Sequence, residues 1–134
     1  MKNMFLILII SLMSLGCSNN NDDPQNNIPA ELIGKWKIVE RFTSDGTSGY
    51  WHSYDSGEIH DLWFKNNGEV FFTSLISTPC YKATYTVINN EIWYSNSTCI
   101  ADTPNTIELL TENELLIDFN FFEPMKTRYI KVIE

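Results

Sequence analysis

Leu62-Trp63-Phe64-Lys65-Asn66-Asn67-Gly68-Glu69-Val70-Phe71-Phe72 reads as a β-hairpin, and its side-chain alternation decides the fold. Asn66-Asn67-Gly68 suits a three-residue loop with glycine in the left-handed position. That loop sets Lys65 opposite Glu69, Phe64 opposite Val70 and Leu62 opposite Phe72. Successive strand side chains point to opposite faces. One face of the hairpin is therefore wholly apolar, and the other carries a Lys–Glu pair.

Two more hairpins follow the same logic. Asn89-Asn90 suits a type I′ turn, because asparagine tolerates positive φ. It aligns Val87 with Ile92 and Tyr85 with Tyr94, leaving Thr84, Thr86 and Ser95 on the reverse. Continuing that register sets Cys80 opposite Cys99, a hydrogen-bonded pair whose α-carbons lie about 5.5 Å apart, within disulfide range. Two free thiols on an outer face are the alternative. Thr111-Glu112-Asn113 forms the third loop and aligns Leu109 with Leu115, Ile107 with Ile117 and Asn105 with Phe119.

Extended outward, the pattern predicts a short helical turn over 28–33 and eight strands: Lys35–Thr43, Glu58–Lys65, Glu69–Ser74, Tyr81–Ile88, Glu91–Ser95, Thr106–Leu110, Glu114–Phe121 and Lys126–Ile133. Each strand pairs with the next in an antiparallel meander. An open sheet would leave its greasy face wet and two edges unpaired, whereas closure removes both problems. The expected fold is all-β, an eight-stranded antiparallel up-and-down barrel. Eight strands enclose room for side chains or for one small ligand.

Ahead of this domain, Lys2 and the apolar run Phe5–Leu15 read as a secretory signal over residues 1–16. The run is shorter than the about 20 apolar residues that a membrane-spanning helix needs. Residues 18–27 are Asn/Asp-rich and almost wholly polar, which predicts a flexible tether. The barrel then occupies 28–134. With 9 basic against 17 acidic residues, the chain carries a net charge of −8, which argues against nucleic-acid binding and against electrostatic docking on anionic lipid.

Ser14-Leu15-Gly16-Cys17 resembles the bacterial lipobox, with Ser14 where that motif usually has leucine. The resemblance implies cleavage before Cys17 and diacylation of its thiol; a plain secretory signal is the alternative. Ser18–Asp23 also resembles the segment that sends some lipoproteins to the outer face of the outer membrane, where a plain spacer would otherwise serve. The expected location is the cell envelope, held at the outer membrane by lipid.

Gly34-Lys35-Trp36 matches the Gly-x-Trp motif of lipocalins, preceded by a short turn and followed by a β-rich chain. Residues 31–133 resemble the small lipocalin-like domains of bacterial lipoproteins. The resemblance implies structural roles for Gly34 and Trp36, and for Arg128 on the last strand, which would stack on Trp36. An exposed strand arginine is the plainer alternative. The resemblance also implies that the first long loop, 49–61, folds over the barrel mouth as a lid. There Tyr50, Trp51 and Tyr54 would either flank a ligand or pack on the rim.

His52, Asp55, His60 and Asp61 fall in the same loop, and imidazole with carboxylate suits zinc. Their spacing fits no metal motif, and no metal or other cofactor is expected. No Gly-x-Ser-x-Gly or phosphate loop is present, so no enzyme activity is expected either. Two functions remain. In the first, the barrel binds a small, mainly apolar ligand against Phe64, Phe72, Tyr85, Tyr94 and Phe119, with Trp51 and Tyr54 above. In the second, the same aromatics fill the interior, and outer Trp63, Phe71 and Trp93 contact a partner.

Overall fold

The computed structural model describes residues 28–73, 81–96, 103–120 and 125–133. The signal segment, the tether, Cys17 and the expected Cys80–Cys99 pair lie outside the described residues.

Among the described residues nine strands form one antiparallel sheet: β1 (Gly34–Ser44), β2 (Gly49–Ser53), β3 (Leu62–Phe64), β4 (Glu69–Phe72), β5 (Lys82–Ile88), β6 (Glu91–Ser95), β7 (Asn105–Leu110), β8 (Glu114–Asp118) and β9 (Lys126–Lys131). From β3 to β9 each strand pairs with the next, and β9 pairs back onto β1 from Trp36–Lys131 to Arg41–Thr127. The wall is closed. β2 and β3 lie along the same edge of β1, β3 against Gly34–Trp36 and β2 against Glu40–Ser44. Together they fill one position, so the barrel has eight.

That division corrects the expected strand Glu58–Lys65, because residues 54–61 detour away from β1. The Asp55 carboxylate accepts the Gly57 N–H at 3.0 Å, and Gly57 turns at φ +77°, a left-handed conformation that suits glycine. The edge of β1 is still satisfied across the gap. Tyr54 N–H donates to the Val39 carbonyl at 2.9 Å, and Asp61 N–H to the Trp36 carbonyl at 2.8 Å. Between them, Asp61 Oδ2 accepts the Ile38 N–H at 2.8 Å. A side chain stands where a strand carbonyl would have been.

The hairpin registers are mostly those expected. Leu62 faces Phe72 and Phe64 faces Val70; Tyr85 faces Tyr94 and Val87 faces Ile92 across Asn89 and Asn90, both at positive φ. Two details differ. Lys65 stands opposite Glu69 as expected, its N–H donating to the Glu69 carbonyl at 2.8 Å, but the Glu69 carboxylate ion-pairs with Lys82 on β5 and the Lys65 ammonium turns over the rings of Trp63 and Phe71. In β7, Ile107 faces Ile117 as expected, but an irregularity between Ile107 and Leu109 places Leu110, not Leu109, opposite Leu115. Leu109 is exposed as a result. Glu108, at the irregularity, ion-pairs with Lys126.

Inward side chains from every strand position form one core, including Trp36, Ile38, Leu62, Phe64, Val70, Tyr85, Ile92, Leu115, Ile117 and Tyr129. The tight turns after β3, β5 and β7 all fall at the end where β1 begins, here called the base. The chain enters there through a single 3-10 turn, Ala30–Leu32, whose Leu32 is fully buried. The opposite end is the mouth.

Candidate functional site

The base is built on Trp36, which is completely buried and whose Nε1–H donates to the Leu32 carbonyl at 2.8 Å. Beside it, Gly34 sits at φ +136°. A Cβ there would meet Lys131 Cε at 2.7 Å. The Lys131 side chain passes over this glycine, places its ammonium 5.0 Å from the Trp36 ring centroid, and donates to the Glu31 carbonyl at 2.7 Å. The cation expected over Trp36 is therefore Lys131, not Arg128. Arg128 lies between Thr127 and Tyr129, both buried inward, so alternation turns it to the outer wall. There it bridges Glu40, with Nε–Oε2 at 2.9 Å, and Glu114, and lies 5.3 Å from the Trp51 ring.

Above the base, the inner wall carries Phe64, Phe72, Tyr85, Tyr94 and Phe119. Phe64 and Tyr85 meet edge-on with centroids 4.9 Å apart, and Phe72 and Tyr94 likewise at 5.8 Å. Such geometry is favourable for aromatic pairs. Tyr85 donates its hydroxyl to the Lys65 carbonyl at 2.8 Å, and burial pushes its phenol up to about 12. Tyr129 belongs to the same core, and Tyr94 packs against it. Burial raises both phenols well above the ordinary tyrosine range. Phe64 and Tyr85 are sealed from solvent, whereas Phe72, Tyr94 and Phe119 are only half-buried.

Near the mouth the expected lid resolves into two parts. Residues 49–53 are β2, paired with the outer half of β1. Trp51 faces Phe42 on the outer wall, with ring centroids 5.6 Å apart, and is exposed; it is not on the inner wall. Tyr54 does pack against the core, and the Arg41 guanidinium stacks on its ring at 3.7 Å. Arg41 faces buried Thr127 across β1–β9, which sets it on the inner side. The sequence singles out neither Arg41 nor Lys131, and it offers Asp61 only as a possible metal ligand.

The four possible metal ligands go separate ways. His52 is on β2 opposite Arg41, and Asp55 pairs with Lys37 at 3.1 Å. His60 meets Trp63 edge-on at 6.3 Å, while Asp61 holds the Ile38 amide. Among the described residues no three His, Cys, Asp or Glu side chains converge on a point that could hold a metal ion.

No protein-family model, curated protein or solved structure matches this chain. The closed eight-position wall is compatible with a lipocalin-like barrel, and the residues themselves carry the functional argument.

Proposed function

We propose that this chain is a lipid-anchored envelope protein, exported by residues 1–16 and acylated at Cys17, whose lipocalin-like barrel binds a small, mainly apolar molecule through its mouth. Support for the ligand comes from the uneven filling of the inner wall. Side chains at the base are sealed, while the inward Phe72 and Phe119 keep solvent access. Half-covered aromatics beside a few oriented hydroxyls are the usual lining of a small-molecule site. The chain enters the barrel at its base, so an anchor before residue 28 would hold the base toward the membrane and leave the mouth facing away.

Native mass spectrometry of the protein purified from its own host tests the ligand. The expected result is a small-molecule adduct that Tyr85→Ala/Tyr94→Ala loses while its circular dichroism stays that of a β protein. An adduct retained by the folded double variant would remove this site. A second reading, a filled barrel serving as an interaction module, is favoured by the exposed outer Trp51 and Trp93; absence of any adduct from the wild type would select it. The anchor has its own readout, since Cys17→Ser should move the protein from the membrane to the soluble fraction.

A further inference from the structure

We propose that the outer wall of β3 and β4 holds a separate binding site, for a flat apolar molecule that carries an anionic group. It does not depend on the barrel's having a ligand. The observation is a cleft of about 320 Å³ lined by Lys35, His60, Trp63, Phe71, Phe72, Thr73 and Tyr81. Small-molecule sites begin at roughly this size, about 300 Å³, and are walled mainly by aromatic and aliphatic groups with a few polar ones.

The floor follows from strand alternation. Leu62, Phe64 and Val70 point into the core, so Trp63 and Phe71, paired across β3 and β4, must point out. Their rings lie 5.7 Å apart and are tilted by 38°, and Tyr81 continues the surface 6.4 Å from Phe71. An offset aromatic shelf of this kind takes a flat apolar body.

The charge around the shelf specifies the rest. Lys65 Nζ lies 4.4 Å from the Trp63 centroid and 4.6 Å from that of Phe71. Lys35 Nζ lies 5.1 Å from Trp63, and Lys82 Nζ 5.4 Å from Phe71. Lys82 also pairs with Glu69, whereas Lys65 makes no salt bridge among the described residues. Lys35 lines the cleft itself, while Lys65 and Lys82 lie outside its lining but against the rings that floor it, in a chain whose net charge is −8. A neutral ligand would gain nothing from them, and a cationic one would be repelled. A carboxylate or sulfonate on an aromatic body would meet Lys65 while its ring rests on Trp63.

The test uses 2-naphthoate as probe and its uncharged counterpart 2-naphthol as control, added to the full-length protein and followed through the indole N–H resonances of its four tryptophans. Naphthoate should shift the Trp63 resonance and leave Trp36 in place. Lys65→Gln should weaken naphthoate binding by about fivefold, equivalent to roughly 1 kcal/mol, without altering the weaker binding of naphthol. Lys82→Gln, which also releases the Glu69 carboxylate beside the site, should weaken it further. The proposal fails if millimolar naphthoate leaves Trp63 unmoved, or if naphthoate and naphthol bind the wild type equally. It also fails if the Trp36 resonance moves in place of Trp63, which would assign the probe to the barrel interior instead.

Discussion

Gly34 sits at φ +136°, a conformation that strains other residues, and the Lys131 side chain crosses it on the way to Trp36. Any other residue there meets both a strained backbone and the Lys131 stem. Gly34→Ala should cost about 1–3 kcal/mol, read as a lower urea midpoint. Trp36→Ala should cost about 3–5 kcal/mol, because it empties a fully buried position. Asp61 offers a sharper contrast. Asp61→Ala strands the Ile38 N–H inside the wall and should cost about 1–3 kcal/mol, with faster hydrogen exchange at Ile38. Asp61→Asn keeps an acceptor and should lose less. Gly34 and Trp36 are legible in sequence because their motif is local. Lys131 and Asp61 are not: one depends on the β1–β9 register, which shifts between Ile38 and Glu40, and the other on a carboxylate replacing a strand carbonyl.

Turn chemistry explains why the hairpins were readable. Gly68 and the Asn89–Asn90 pair adopt the positive φ their loops demand, and the two registers follow by counting. The β7–β8 hairpin departs because Thr111 Oγ1 accepts the N–H groups of Asn113 and Glu114, tightening the turn, and the irregularity near Glu108 absorbs the extra residue. The β1–β2 hairpin was not anticipated, although Asp45-Gly46-Thr47-Ser48 carries its signal. The Asp45 carboxylate accepts from Ser48 N–H at 2.8 Å and from Thr47 N–H at 2.9 Å, and these bonds, Ser48 first, lower its pKa to about 2. A depressed carboxylate contributes stability above its unfolded value near 4 and loses it as pH falls through the folded one. Thr47 and Ser48 amide shifts should therefore titrate with a midpoint of about 2, and Asp45→Asn should remove that titration. The inner-wall candidates were legible for a similar reason, since period-two alternation set Phe64, Phe72, Tyr85 and Tyr94 inward. The outward position of Trp51 was not, because it depends on β2 pairing with β1 instead of covering the mouth.

Closure is the property on which the whole wall depends. β9 joins both β1 and β8, and Arg128 spans the three strands through Glu40 and Glu114. These carboxylates are partly exposed, so Arg128→Ala should cost less than about 1 kcal/mol. Deleting Lys126–Lys131 opens two edges and should yield insoluble protein. The enclosed phenols set an alkaline limit. Tyr85 is raised to about 12 by burial, and Tyr94 and Tyr129 are raised for the same reason. A raised phenol gives stability that is complete below the unfolded value near 10 and is lost as pH climbs toward the folded one. Absorbance at the phenolate band should show Tyr85, Tyr94 and Tyr129 ionising together with unfolding. The 54–61 detour has an opposite character. Hydrogen bonds to β1 are complete on both sides of it, a Cβ at Gly57 would touch nothing, and Ile59 is 79% exposed. The wall there is already spliced, so a foreign epitope inserted after Gly57 will ride outside the sheet like a pennant, leaving the melting temperature of its carrier unchanged.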